Sequence, residues 1–266
     1  MSEPSTDPQS TSAHPRTALV TGASRGIGRA VAVGLAHDGF ALVGIHYSSA
    51  LEEAERTAEL VRGAGATPVL LHADLSESPV DKVRQIASDF LGAAQEHIGE
   101  RTVTALVNNA GMTGEQDLAG LDSATYERVI AVNLTAPLFL IQSLQLELGY
   151  GGRVVNISTG YNRFAAPTHL AYAAAKAGLS NLTLALAPTL AIRQITINAV
   201  MPGVIDTHIN ASWLAEPGAR EHAALVSAFG RIGEADDVSD LARFLISDAA
   251  RWTTGQTIDV SGGSNL

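Results

Sequence analysis

Apolar residues in this chain come in short unbroken runs, separated by longer stretches with helical spacing. The runs are TALVTG (17–22), FALVGIHY (40–47), TPVLLHAD (67–74), VTALVNNAG (103–111), GRVVNIST (152–159), ITINAVMPG (195–203) and QTIDVSGG (256–263). Between them, 26–38, 51–63, 79–97, 124–148 and 170–187 repeat apolar residues at the period of an amphipathic helix. A strand that is apolar without alternation is buried on both faces, which calls for a parallel sheet covered by helices. Strand and helix alternate to the end, so the pattern predicts one doubly wound α/β domain over 16–266, with no internal repeat or linker. Residues 1–15 are Ser/Thr/Pro-rich and lack an apolar segment, so they predict a disordered tail and not a secretory signal.

In such a sheet ligands gather at the carboxyl ends of the strands, near the switch in strand order. The polar and glycine-rich strand ends TGASRGIG, HAD, NNAG, ST and MPG would therefore line a single crevice. The first of them sets Gly22, Gly26 and Gly28 directly after a strand and at the start of a helix. Glycine permits the tight turn and the close approach of backbone to a pyrophosphate resting on the helix N-terminus. The next strand ends His46-Tyr47-Ser48-Ser49, with no carboxylate before Glu52 to take a ribose 2′-hydroxyl. Arg25, inside the glycine turn, can instead pair with a 2′-phosphate, so NADP is favoured over NAD. Asp74 is placed for an adenine amino group, or equally for a turn or helix cap.

Composition narrows the partners. The 266 residues carry a net charge of −10 without a Lys/Arg cluster, which argues against nucleic acid and anionic membrane. No apolar run is long enough to span a bilayer. The absence of cysteine removes thiol catalysis, disulfides and Cys-zinc sites; no metal is expected, and a cytoplasmic location is.

The chemistry concentrates in NISTGYNRFAAPTHLAYAAAK (156–176). Tyr172 and Lys176 lie four apart in a helix-favouring stretch and project from one face. Free tyrosine is a poor acid-base catalyst at neutral pH, and a neighbouring ammonium favours its phenolate. With Thr21-Gly22-x-x-x-Gly26-x-Gly28, Asp74, Asn108-Asn109-Ala110-Gly111, Asn133, the Ser158/Thr159 pair and Asn198-Ala199-x-x-Pro202-Gly203 in the same order, the chain from Arg16 to Leu266 resembles the classical short-chain dehydrogenase/reductases. It is closest in style to the 3-oxoacyl-carrier-protein reductases.

The resemblance implies a Rossmann fold with a seven-stranded parallel sheet and an NADP-dependent ketoreductase or alcohol dehydrogenase. Tyr172 would be the acid/base and Lys176 would lower its pKa and hold the nicotinamide ribose, with Asn133 positioning the lysine. The cofactor would touch Ser24 and Ile27 at the turn, His46, Tyr47 and Ser48 at the end of the second strand, and Asp74 and Leu75 after the third. It would also meet Asn109, Ala110, Gly111, Pro202, Gly203, Val204 and Thr207 nearer its nicotinamide end. The family's substrate-polarising hydroxyl stands thirteen residues before the tyrosine, which selects Thr159; neighbours on a strand face opposite ways, so only one can serve, and the alternative is a one-residue loop adjustment that presents Ser158 and leaves Thr159 structural. Substrate would border Thr159, Tyr161, Asn162, Arg163 and Phe164, then Met112 and Thr113, and a lid over 207–230 with Trp213 and Leu214. Arg163 reads either as an anchor for an acidic group or as an ion-paired surface residue. Pro188 should kink or end the helix bearing Tyr172. A homotetramer is implied, with a dimer as the alternative. The competing readings are an NAD-dependent alcohol dehydrogenase, a dehydratase or epimerase of the same fold, and a non-catalytic NADP-binding sensor.

Overall fold

The computed structural model describes residues 14–266, and most of the expected tail lies outside the described residues. Seven strands, β1 (Thr17–Val20), β2 (Leu42–Tyr47), β3 (Thr67–His72), β4 (Val103–Asn108), β5 (Leu148–Ile157), β6 (Thr196–Pro202) and β7 (Thr257–Val260), form one sheet in the order β3-β2-β1-β4-β5-β6-β7. Every pairing is parallel. This is the doubly wound Rossmann sheet that the unbroken apolar runs predict.

Helices α1 (Gly26–His37), α2 (Leu51–Gly63) and α9 (Ala235–Ile246) share a core with one face of the sheet, reached by Ala18, Val20, Val43 and Ile45. Helices α3 (Pro79–Ile98), α5 (Ala136–Leu144) and α6 (Leu170–Ala191) pack on the other, against Leu19, Leu42 and Leu106. Adjacent β1 residues thus go to opposite cores, each with no exposed surface. Short helices α4 (Ser123–Ile130), α7 (Ala211–Leu214) and α8 (Ala219–Leu225) complete the chain around the carboxyl edge.

Two expectations need correction. The single helix expected over 124–148 is α4 and α5 joined by a π-helical turn at Ala131–Thr135, and Leu148 already belongs to β5. Pro137 has no N–H to give the Asn133 carbonyl, and it lies in the first turn of α5, directly after the wider turn. Pro188 neither ends nor terminates α6, which runs on to Ala191. It sits on the exposed face, where the Leu184 carbonyl that loses its donor is open to water.

Candidate active site

The order of strands reverses between β1 and β4, and the backbone there is tied by two side chains. The Thr21 hydroxyl accepts from the N–H groups of Asn109 and Ala110 at 3.0 Å each, while Asn109 Nδ2 donates to the carbonyls of Thr21 and Gly22 at 2.9 Å each. The glycine turn is pressed against this strand end. At Gly22 (φ +62°) a Cβ would lie 2.8 Å from Ala110 Cα, and at Gly28 it would overlap the Gly22 carbonyl. Gly26 also has positive φ, with a Thr207 methyl 3.3 Å from where its Cβ would be. Helix α1 opens from this turn with no side-chain cap and no acidic residue in its first turn. Its first N–H groups therefore face a space suited to an anion. The bare cradle, the uncapped helix and the nearby cation Arg25 fit a dinucleotide pyrophosphate.

Around this cradle the expected cofactor residues separate into two groups. The Arg25 side chain is exposed and makes no hydrogen bond or ion pair among the described residues, and Ser48 is exposed beside half-buried Tyr47. Ser24, Leu75 and Pro202 are buried, whereas Ile27, Gly203, Val204 and Thr207 are half-exposed around the crevice. Asp74 is exposed and accepts from Ser76 N–H at 2.9 Å, which pulls its carboxyl below the usual range. His46 is different from the ligand expected at that position. It is 2 % exposed and both ring nitrogens are engaged: Nδ1 accepts from Gly22 N–H at 3.1 Å and Nε2 donates to the Ala73 carbonyl at 3.0 Å. Burial pushes its pKa down to about 4, so the ring is neutral and props the turn from behind.

The second half of the site hangs on α6. Lys176 is buried, its Nζ donates to the Ile157 carbonyl at 2.6 Å, and it lies 5.8 Å from the Tyr172 ring centre. Burial lowers the lysine pKa to about 7. The half-buried Tyr172 phenol is pushed up to about 12 by burial, partly offset by a hydrogen bond with Thr159. Lys176 does not lower it here: the ammonium is aimed at the strand carbonyl. Asn133 Nδ2 donates to the carbonyls of Met112 and Val129 at 2.8 and 2.9 Å, while its buried Oδ1 has no partner. That oxygen faces Gly111, whose missing Cβ would sit 3.0 Å from it and 3.8 Å from Lys176 Nζ. The bare glycine leaves a passage between the amide and the ammonium.

The two neighbouring hydroxyls have opposite surroundings. Ser158 is buried, with Oγ within 3.2 Å of the Lys176 carbonyl and 2.8 Å of Ser180 Oγ, and it accepts from Asn162 Nδ2 at 3.0 Å. Thr159 is half-exposed on the Tyr172 side and accepts only weakly from Tyr161 N–H at 3.4 Å.

Beyond Thr159, the chain builds an aromatic wall. Tyr161 stands edge-on to Tyr172 (centroids 6.3 Å, 87°) and to Phe164 (5.5 Å, 84°), and against His169 at 5.2 Å. Burial depresses the His169 pKa and raises that of Tyr161, so both are neutral rings at neutral pH. Arg163 points away from this wall into a 2.8 Å ion pair with Asp259 of β7. Trp213 is half-buried, its Nε1 donating to Asn210 Oδ1 at 3.2 Å, and Leu214 is buried. Asn162 lies beneath the loop and not on the substrate face, because its amide serves Ser158 and Ser180. His169 was not expected at the site; its place three residues before Tyr172, at the cap of α6, is the signal that could have found it.

A family profile described as enoyl-(acyl carrier protein) reductase matches residues 22–265. An uncharacterised oxidoreductase of Methylorubrum extorquens is 35% identical over 93% of this chain and 97% of its own length. A 3-oxoacyl-[acyl-carrier-protein] reductase of Staphylococcus aureus is 33% identical, with 93% and 97% covered. Among solved structures, a promiscuous reductase that catalyses C1 keto-reduction in lugdunomycin biosynthesis is 40% identical, with a TM-score of 0.89 over 94% of this chain and 98% of that one. An angucycline C-6 ketoreductase with bound NADP is 35% identical with the same TM-score, over 94% and 96%.

Proposed function

The chain belongs to the short-chain dehydrogenase/reductase family, and from that premise we propose that it is an NADP(H)-dependent ketoreductase for uncharged ketones on flat, apolar ring systems. The observation that carries the reading is the grouping of Tyr172, half-exposed Thr159 and buried Lys176 at the mouth of the glycine cradle. A bound NADPH would supply the hydride to the carbonyl carbon. Tyr172, whose phenol stays protonated at neutral pH, gives its proton to the carbonyl oxygen, which suits the reductive direction. Thr159 donates a hydrogen bond to the same oxygen and so stabilises the charge that develops there. The Lys176 ammonium gives a proton back to Tyr172 and is reloaded from solvent along the passage over Gly111, where Asn133 Oδ1 can accept a hydrogen bond.

Cofactor choice rests on Arg25, free to pair with a 2′-phosphate, and on the absence of a carboxylate at the end of β2; several structural relatives hold NADP. The substrate class rests on the neutral aromatic wall and on the arginines nearby. Arg163, Arg220 and Arg231 are each bound to an aspartate, so none waits for an acidic substrate. Residues 207–230, carrying Trp213, serve as the lid.

The chain assembles as a homotetramer in the cytoplasm. Support for assembly comes from β7, an open sheet edge, and from exposed Leu184, Ile192 and Trp252 on and beside α6. NADPH oxidation over a panel of aromatic and aliphatic ketones tests the activity, with light scattering for the assembly. Turnover of aliphatic ketones alone would overturn the substrate class, and NADPH binding without turnover of any carbonyl would indicate a sensor.

A further inference from the structure

Residues 259–265 cover the end of β7 and the bend after it, and they touch three segments of the site at once. Asp259 Oδ2 pairs with Arg163, four residues beyond Thr159, at 2.8 Å. Its Oδ1 accepts from Ser261 N–H at 3.0 Å and from the Ser261 hydroxyl. Ser261 in turn fixes the next bend, accepting from Ser264 N–H at 3.0 Å and from the Ser264 hydroxyl at its carbonyl at 2.8 Å. It also fills the space where a Gly203 Cβ would lie, 2.9 Å away, so the chain after Pro202 rests directly on the C-terminal bend.

The bend then reaches the far end of the 207–230 segment. The Gly262 carbonyl accepts from Ser227 Oγ at 3.1 Å and Phe229 N–H at 3.4 Å, and Asn265 N–H donates to the Val226 carbonyl at 2.9 Å. Gly262 and Gly263 both have positive φ, +64° and +73°, and side chains there would strike Ser227 and Ala228. The backbone therefore needs glycine twice to make these contacts. Outside them, α7 and α8 are short helices of four and seven residues that could not hold a position alone.

We propose that residues 259–265 form a brace that holds the Thr159–Arg163 loop and the C-terminal end of the lid in register, with Asp259 as its positioning residue. Asp259 joins the two sides because one carboxylate oxygen serves the loop and the other orders the bend. The proposal rests on the reading of the loop and of 207–230 as active-site elements, but it concerns their mutual placement and not the reaction.

The experiment is hydrogen exchange on the full chain, with phenanthrenequinone reduction and NADPH fluorescence titration alongside. In Asp259→Ala, exchange should rise roughly threefold or more in peptides covering 160–164 and 226–230 and stay unchanged in α1. KM for phenanthrenequinone should rise roughly fivefold, with kcat and NADPH affinity little changed. Asp259→Asn, which keeps an acceptor for Ser261, should loosen 160–164 alone, and Arg163→Lys should stay near wild type. Unchanged exchange at 226–230 in Asp259→Ala, or an equal rise in α1, overturns the brace. Failure to turn over phenanthrenequinone would count against the ketoreductase reading, while the exchange pattern still decides the brace.

Discussion

The glycine turn at 22–28 and the loop at 158–164 lie at the same edge of the sheet, and they are built by opposite means. The turn works by leaving side chains out: Gly22 and Gly28 are packed so closely on the backbone of Ala110 and Gly22 that no Cβ fits. The loop works by side-chain direction: Ser158 points into α6 while Thr159 faces Tyr172, and each neighbour is committed to a different partner. A site made of backbone tolerates few residue types, whereas one made of side-chain directions can be retuned by single substitutions. On the proposed function, binding of the cofactor belongs to the first and choice of ketone to the second.

The strongest way to sharpen that contrast is Tyr172→Phe, which keeps the ring and removes the proton. Turnover should fall by roughly a thousandfold or more, with NADPH affinity by fluorescence titration unchanged. Gly28→Val should do the reverse, weakening NADPH binding by roughly a hundredfold because the turn must open to admit the side chain. If the valine variant binds normally, the cradle is not where the pyrophosphate rests.

The paired hydroxyls give the next largest effect. Thr159→Ala should lower kcat by about a hundredfold, since it removes a donor to the developing oxyanion. Ser158→Ala should cost about 1 kcal/mol of stability and only a few-fold in rate, because it removes contacts within α6 and the loop. Equal losses of kcat at matched stability would mean that both hydroxyls, and not one, serve the substrate. Arg25→Ala should follow, raising KM for NADPH by roughly tenfold and leaving NADH untouched; parallel changes for both cofactors would remove the 2′-phosphate from its role.

How much could be read without coordinates follows the same division. Unbroken apolar runs gave the parallel sheet and the glycine spacing gave the cradle, because both depend on what a position excludes. The thirteen-residue interval points to Thr159, and Ser158 is the buried one of the pair. Side-chain destinations were not legible. Arg163 is paired with a residue ninety-six positions away, and Asn162 turns under its own loop. Pro137 marked a weak point within 124–148, but a proline alone does not decide the outcome, since α6 carries Pro188 and runs on. His46 was read as a ligand because its place in sequence is right; only burial and two partners show it to be a prop.

That prop joins the two means of construction, since a side chain here holds the backbone cradle. Neutral His46 accepts from Gly22 N–H, so protonation would remove the acceptor and place a buried charge beneath the turn. Its pKa is about 4 in the folded chain against 6.5 for an ordinary histidine. Between those values the unfolded chain binds a proton that the folded chain refuses, so folding stability rises with pH across the window and falls as acid is added. The loss should reach about 1 kcal/mol near pH 5.5 and roughly 3 kcal/mol below pH 4, read from urea midpoints as a function of pH. Weaker NADPH binding should accompany it as the Gly22 contact is lost. His46→Gln can accept and donate at the same two points without titrating, so its midpoints should lack this slope. A variant whose slope between pH 4 and 6.5 matches wild type would show that acid acts elsewhere and that the turn holds itself.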